Sequence, residues 1–315
     1  MLNSVEVCAG AGGQALGLEW AGFKHLVCLD SDLPSVKTIE LNRPRWNPKL
    51  GDLREWSFET SEQVDLLAGG VPCPPFSHAG KQLGSNDERD LFPEMVRLTG
   101  ELKPRAVMIE NVRGLLDRRF EEYRLKILQE FGNLGYRGEW RLVDASQFGV
   151  PQKRLRSVLI ALPEKAWKNF KFPGPTVEIP ISVGRALLAL MKSDGWEGAE
   201  IWAANSRDPG PTLVGGSKKH GGADLGPTRA RNEWLVKHNV DGRGIANTPP
   251  TKDFNGSPRL TLEMAAIIQG FPTDWNFYGK KTPAYRQIGN AFPPPVAEAL
   301  GRAIATALTA ESTVI

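Results

Sequence analysis

Short apolar runs alternate with helical segments through the first half of the chain, and this rhythm restricts the fold more than any other feature. Val5-Glu6-Val7 leads into a glycine turn, a helical segment from Gln14 to Ala21, and then Leu26-Val27-Cys28-Leu29. The alternation continues through Val64 to Ala68, a helix around Pro93 to Leu102, Ala106 to Ile109, a helix around Phe120 to Leu134, and Ser157 to Ala161. Apolar strands separated by helices imply a parallel sheet covered on both faces, because only a crossover connection brings the chain back beside a parallel neighbour. The expected class is therefore α/β, with at least five strands in one sheet. In such sheets the reactive groups collect just beyond the carboxyl ends of the strands.

Beyond Pro163 the texture changes. Pro173-Gly174-Pro175, Pro209-Gly210-Pro211, Gly215-Gly216 and Gly221-Gly222 break up any long periodic element, which predicts a loop-rich insert and not a second half-sheet. Helical periodicity returns over Leu262 to Ile268 and Val296 to Leu308, and the last helix is expected to pack on the first domain. The expected division is a domain over 1–174 completed by 284–315, with a smaller domain over 175–283. At 315 residues, 41% hydrophobic and 24% charged, the chain has the composition of a soluble protein. No stretch approaches the ~18 apolar residues of a membrane span, and no charged leader precedes an apolar core at the start, so a cytoplasmic protein is expected. Three scattered cysteines and no paired metal-ligand spacing argue against a disulfide framework or a metal site. A net charge of +3 permits a nucleic-acid partner without requiring one.

Two residues carry chemistry. Cys73 stands between prolines in Pro72-Cys73-Pro74-Pro75-Phe76-Ser77, and Glu110 follows 37 positions later at the end of an apolar run. Each lies just past a predicted strand, so both are expected in one crevice. A thiolate is a strong nucleophile even when sparsely populated, and a carboxyl group raised by burial can protonate what the thiolate attacks. Cys8 and Cys28 fall in strand-like segments and read as small core residues. His25, His78, His220 and His238 have no ligand or triad spacing and are assigned no catalytic part. The turn Ala9-Gly10-Ala11-Gly12-Gly13, opening a helix after the first strand, lets backbone N–H groups approach a ligand. Asp30, about 20 residues on, stands where an acid takes ribose hydroxyls. Asp52-Leu53 follows the next predicted strand and is expected near an adenine. The set points to an adenosine-bearing cofactor. The segment from Ser77 to Arg89, with Gly80 and Gly84 as hinges, is expected to be a mobile loop in which Ser77, Lys81 and Arg89 reach phosphates.

At this point the chain resembles a cytosine-5 DNA methyltransferase of the bacterial restriction-modification type. Six motifs appear in the family's order. Glu6 to Gly13 resembles its cofactor loop, Pro72-Cys73 with Phe76-Ser77 its nucleophile loop, and Glu110-Asn111-Val112 its acid motif. Gln147 to Arg156 resembles its basic motif, Arg259-Leu260-Thr261 with Gln269-Gly270-Phe271-Pro272 the motif that organises recognition, and Gln287-Ile288-Gly289-Asn290-Ala291 the closing motif. The resemblance implies a Rossmann-like sheet that binds S-adenosylmethionine and yields S-adenosylhomocysteine. It implies that the Cys73 thiolate adds to carbon 6 of a flipped cytosine while Glu110 holds ring nitrogen 3 and the exocyclic amino group, giving an enamine able to take the methyl group. Arg156 would hold the base's carbonyl oxygen, and Arg154 would steady the thiolate or a phosphate. The implied cofactor residues are Cys8, Ala9, Gly10, Gly12, Gly13, Asp30, Ser31, Asp52, Leu53, Pro72, Leu91, Asn290 and Ala291. The implied partner is double-stranded DNA, bound by a monomer, with a cognate restriction endonuclease as a functional and not a physical partner.

The insert would be the target-recognition domain, with Lys218, Lys219, Arg229 and Arg231 its most basic stretch and Thr212-Leu213 a short element resembling the family's. The chain departs from the family in three places. Cys8 and Ser31 stand where an aromatic or large apolar residue usually packs on adenine, and Asp30 replaces a more frequent glutamate, so a differently packed cofactor is expected. Two other readings compete. An RNA cytosine-5 methyltransferase of the same fold would carry a Cys-Phe-Thr segment that this chain lacks. A nicotinamide-dependent oxidoreductase would share the glycine turn and Asp30 but would leave Pro72-Cys73, Glu110 and Gln152 to Arg156 without a purpose.

Overall fold

The structure, a computed structural model, describes residues 1–72, 90–216 and 222–312. In chain order the elements are β1 (Leu2–Val7), α1 (Gly13–Trp20), β2 (Phe23–Asp30), α2 (Leu33–Asn42), β3 (Pro48–Leu50), β4 (Leu66–Gly69), α3 (Phe92–Leu102), β5 (Ala106–Val112), α4 (Glu121–Asn133), β6 (Tyr136–Asp144), β7 (Leu155–Pro163) and α5 (Glu164–Trp167). They continue with α6 (Val183–Lys192), α7 (Ala199–Asn205), α8 (Thr228–His238), α9 (Leu262–Gln269), α10 (Lys281–Asn290) and α11 (Pro294–Ser312). No helix among the described residues is long and apolar enough to cross a membrane.

Seven strands form one sheet in the order β3-β2-β1-β4-β5-β7-β6. Neighbours from β3 to β5 pair in parallel, as the alternating pattern requires. The expectation of an all-parallel sheet needs one correction: β7 runs antiparallel to both β5 and β6. The link from Asp144 to Leu155 is too short for a crossover helix, which needs a dozen or more residues, so the chain returns in the opposite direction.

Successive strand residues point to opposite faces, and each face has its own core. Leu66, Ala68, Met108, Val158 and Ile160 pack with Leu300, Ile304 and Leu308 of α11. Leu67, Val107, Ile109 and Leu159 pack with Met95 and Leu98 of α3 and Ile127 and Phe131 of α4. The last helix thus returns to the first part of the chain, as expected. It lies so close to α1 that a Cβ on Gly17 would stand 2.1 Å from the Pro294 carbonyl oxygen. The stretch beyond Pro163 adds helices and no further named strand among the described residues. Val183, Leu187, Trp202 and Trp234 of α6 to α8 pack into one cluster with Met264, Ile268, Tyr285 and Ile288, which continues to Leu16, Ile39 and Trp46 beside the sheet.

Candidate active site

Register brings the candidate residues together. Val7 of β1 lies beside Gly69 of β4, and Gly69 beside Ile109 of β5. The next residues, Cys8, Gly70 and Glu110, therefore emerge along one edge. They open into a cleft of about 640 Å³. Among the described residues its walls include Cys8, Ala9, Gly10, Asp30, Ser31, Pro72, Leu91, Glu110, Asn290 and Ala291, ten residues that the sequence singles out. Glu6, Gln14, Asp32, Gly216, Arg286 and Gln287 also line it.

At one end of the cleft the Arg156 Nε donates to Glu110 Oε1 at 2.7 Å. The antiparallel pairing sets this up, because Arg156 lies opposite Val112 and Glu110 is two residues along on the same face. Arg156 Nη1 also donates to the Leu155 carbonyl at 2.9 Å, which fixes the plane of the guanidinium. Both side chains are mostly buried, at 14% and 12% exposure, so the pair is shielded from solvent screening. Asn111 links this end to the stretch that leads to Pro72: its Nδ2 donates to the Val71 carbonyl at 2.8 Å and its Oδ1 accepts from Val112 N at 2.8 Å. The Leu91 N–H donates to the Pro72 carbonyl at 3.3 Å, tying the two flanks of the intervening segment. Cys73, Ser77, Lys81 and Arg89 belong to that segment and lie outside the described residues.

At the other end, Asp30 accepts from Gly10 N and Asp32 N, each at 2.7 Å. These bonds order the glycine turn and keep the carboxylate at the cleft wall. Cys8 is not part of a strand. It follows β1 with φ +50°, half-buried at the cleft wall, and burial together with Asp30, Glu6 and Asp52 pushes its thiol pKa up, so it stays a neutral apolar lining group. Cys28, by contrast, is core. Gly12, Gly13, Asp52 and Leu53 do not line the cleft. Gly12 caps α1 at φ +81° against Trp46 and Trp275, and a Cβ on Gly13 would meet the Phe292 carbonyl oxygen at 2.4 Å. Their smallness serves packing of the turn. Leu53 is core, and the Asp52 carboxylate is bound by the Arg54 backbone and guanidinium, which hold its pKa down at about 2.

Arg154 corrects an expectation. It is fully buried and donates to the carbonyls of Leu213 (2.9 Å), Gly289 (2.9 Å) and Ala291 (3.0 Å). Gln152 completes the node through Leu213 N, the Ile268 carbonyl and the Gln269 side chain. A guanidinium enclosed in this way meets neither a phosphate nor a thiolate; it fastens the segment at Leu213 and the end of α10 to the start of β7. Thr212 donates its hydroxyl to the Lys153 carbonyl at 2.7 Å. Arg229 is exposed on α8, whereas Arg231 donates to Thr228 Oγ1 and lines a separate hollow beside Asp241. Lys218 and Lys219 lie outside the described residues. His25 and His238 are buried and bonded to Ser4 and Ser206, which accounts for them without chemistry.

The sequence reading gave no role to Gln14 or Arg286, and named Glu6 only as the first residue of the segment resembling a cofactor loop. Glu6 had a signal, an acid between Val5 and Val7 at the buried end of β1, where charged residues are seldom found without cause. Arg286 had none, since only α10 packing turns it toward the cleft, 3.8 Å from Asp32.

Comparison with known proteins agrees with this geometry. The chain is 54% identical over 316 residues to the type II methyltransferase M.NaeI of Lentzea aerocolonigenes, covering 98% of this chain and 76% of that one. It is 51% identical over 315 residues to the type II methyltransferase M.NgoMIV of Neisseria gonorrhoeae, covering 98% and 99%. The crystal structure of a putative DNA modification methyltransferase encoded within an Escherichia coli prophage superposes with a TM-score of 0.70 at 23% identity, covering 98% of this chain and all of the other. With the sheet order, the cleft beyond the strand ends and a family profile that matches residues 2–306, the chain belongs to the C-5 cytosine-specific DNA methylase family.

Proposed function

We propose that the chain methylates carbon 5 of a cytosine in a specific duplex DNA site, with S-adenosylmethionine as donor and Cys73 as nucleophile, within a restriction-modification system. The observation that carries the residue assignments is the Glu110–Arg156 pair, held at 2.7 Å at the end of a cleft to which Pro72, the residue before Cys73, also contributes. The cofactor fits the residues present: the Asp30 carboxylate at the wall suits a ribose diol, and the floor carries the buried Glu6 and Gln14 side chains, which have no partner beyond each other among the described residues. When bound, S-adenosylmethionine supplies an electrophilic methyl carbon on a sulfonium.

The chain's own residues do the rest. A base enclosed in a duplex must be extruded at a cost of roughly a few kcal/mol before a side chain reaches carbon 6. Glu110 then engages ring nitrogen 3 and the exocyclic amino group, and Arg156, oriented by Glu110 and the Leu155 carbonyl, donates to the base's carbonyl oxygen. This polarises the ring toward addition of the Cys73 sulfur at carbon 6. Asn111 keeps Val71 and Pro72, and so the origin of the nucleophile segment, in register with Glu110. The rival reading, an RNA cytosine-5 methyltransferase of the same fold, has less support, since the family profile and the named relatives concern DNA methylases and type II methyltransferases.

The test is covalent trapping. Duplex DNA carrying 5-fluorocytosine in the target site should give a stable protein–DNA adduct in the presence of S-adenosylmethionine, because fluorine cannot leave carbon 5 as a proton does. Cys73→Ser should abolish the adduct and methyl transfer while DNA binding persists. Turnover on ordinary duplex without a trapped adduct, or a fully active serine variant, would refute the addition mechanism. Label appearing only in transfer RNA would refute the substrate.

A further inference from the structure

Two cations beside the Glu110–Arg156 pair have no partner. Arg113 follows directly on β5 and opens a 3₁₀ turn, Arg113–Leu116, that packs against β7. Lys153 stands two residues before β7 begins. Val112 and Arg156 lie opposite one another in the antiparallel pair, so both cations stand just beyond the strand ends that carry Glu110 and Arg156. Both are exposed, and among the described residues neither side chain has a hydrogen-bond or ion-pair partner. Neither is among the residues that line the cleft.

Most cations around them are engaged. Arg156 holds Glu110, Arg154 is enclosed by carbonyls, Arg124 donates to the Leu115 and Asp117 carbonyls, and Arg119 pairs with Asp117 at 3.6 Å. Arg118 is exposed too, but it stands farther along the chain, off the strand ends. The backbones of the two free cations are held in place. The Lys153 N–H donates to the Gly210 carbonyl at 2.8 Å and its own carbonyl accepts from the Thr212 hydroxyl at 2.7 Å, between the fully buried Gln152 and Arg154. The Arg124 bond to the Leu115 carbonyl, at 2.6 Å, fixes the turn that starts at Arg113. Anchored backbones with free heads make charges that are already positioned, so little order remains to be imposed when an anion arrives.

Glu110 and Arg156 cancel one another's charge, which leaves this rim positive through Arg113 and Lys153. A base leaves the stack at a cost that contacts to the backbone on either side must offset, since phosphate contacts position a strand while other groups engage the base. Arg113 lies on the β5 side of the pair, and Lys153 lies on the β7 side, at the seam with Gly210 and Thr212. We propose that Arg113 and Lys153 each bind a phosphodiester of the target strand, one on each side of the extruded cytosine. The proposal rests on the reading of Glu110 and Arg156 as the holders of that base. Lysine meets a phosphate as a point charge and arginine as a two-pronged donor, and both suit a backbone contact that carries no sequence information.

Methylphosphonate substitution, which removes the charge of a single phosphate, tests this. The probe is a duplex of the site that bisulfite sequencing finds methylated in plasmid from cells expressing the chain, with neutral linkages placed one at a time around the target cytosine. In the wild type a neutral linkage on either side of that cytosine should weaken binding severalfold. Lys153→Gln should be indifferent to one of the two linkages and Arg113→Gln to the other. For each variant the fall of log affinity with log salt should be shallower by about 0.9, and S-adenosylhomocysteine should bind as it does to the wild type. Lys165→Gln, on α5 at the far end of β7, should match the wild type throughout. Variants that still lose the full factor at both linkages, or that keep the wild-type salt dependence, would overturn the phosphate contacts. Wild-type affinity unaltered by either linkage would do so without any variant. A wild type that leaves no methylated site in the plasmid would instead overturn the base-holding reading itself.

Discussion

Arg154 and Arg156 sit two residues apart in one basic motif and do different physical work. Arg156 holds Glu110, which lines the cleft, with one nitrogen and donates to the Leu155 carbonyl with another. Arg156→Lys keeps the charge but loses the planar second donor, so it should fold with an unchanged unfolding midpoint and lose roughly tenfold or more in kcat. A variant with wild-type turnover would remove Arg156 from the base-holding pair. Arg154 instead donates to three buried carbonyls on three segments. Arg154→Leu leaves those acceptors unpaired in the interior, and since each such loss costs ~1–3 kcal/mol, a drop of about 3 kcal/mol or more is expected in urea unfolding. A merely catalytic Arg154 would instead give a fully stable, inactive variant. The motif alone could not separate the two arginines. Their identities were legible, but which one is left to pair with Glu110 depends on Leu213, Gly289 and Ala291 arriving from distant parts of the chain.

At the level of elements, the site exists because β1, β4 and β5 end level with one another and because helices close on the sheet at very short range. The legible elements were those with their own pattern: β4 and the first four residues of β5 are apolar runs, and β1 leads into a glycine turn. Edge strand β6 carries no such run. Its sequence Tyr136-Arg137-Gly138-Glu139-Trp140-Arg141-Leu142-Val143-Asp144 mixes charges with apolar groups because much of it is exposed, and so it escaped the reading. Helix α6 was hidden differently, since the Gly and Pro punctuation on either side masked an apolar stripe of Val183, Leu187 and Met191 that becomes core against α7 and α9. Backbone contact between α1 and α11 is the feature most sensitive to a single atom. A Cβ at Gly17 would lie 2.1 Å from one carbonyl oxygen and 2.7 Å from the Glu298 nitrogen, so Gly17→Ala must push α11 outward despite alanine's better helix propensity. Overpacking of this kind costs ~1–3 kcal/mol, enough to outweigh the propensity gain, and urea unfolding should show a net loss. A stabilised Gly17→Ala would mean that the two helices do not meet as closely as described.

For the whole molecule, buried ionisable groups fix how stability depends on pH, and their signs oppose one another. His25 and His238 are buried neutral, and desolvation holds each pKa at about 4 against an ordinary 6.5. Their contribution is complete above pH 6.5 and is lost as pH falls toward 4, because only the unfolded chain takes up their protons in that window. Glu6 acts the other way: with a folded pKa of about 8 against 4.5, its contribution is complete below pH 4.5 and is lost as pH rises through 8. Near pH 5.5 the two histidines outnumber the one carboxyl, so the unfolded state binds more protons and stability rises with pH. Near pH 7 only Glu6 still differs between the states, and stability falls. The unfolding midpoint of the ligand-free protein should therefore peak close to pH 6.5. His25→Gln removes one of the two opposing protons and should flatten the acid limb. Glu6→Gln should hold the midpoint level from pH 6.5 to 8, because it removes the one carboxyl that alkaline pH ionises inside the fold. Thermal scans from pH 5 to 8.5 on the three proteins measure all of this, and a wild-type midpoint still climbing at pH 8 would show that Glu6 is ionised in the empty cleft.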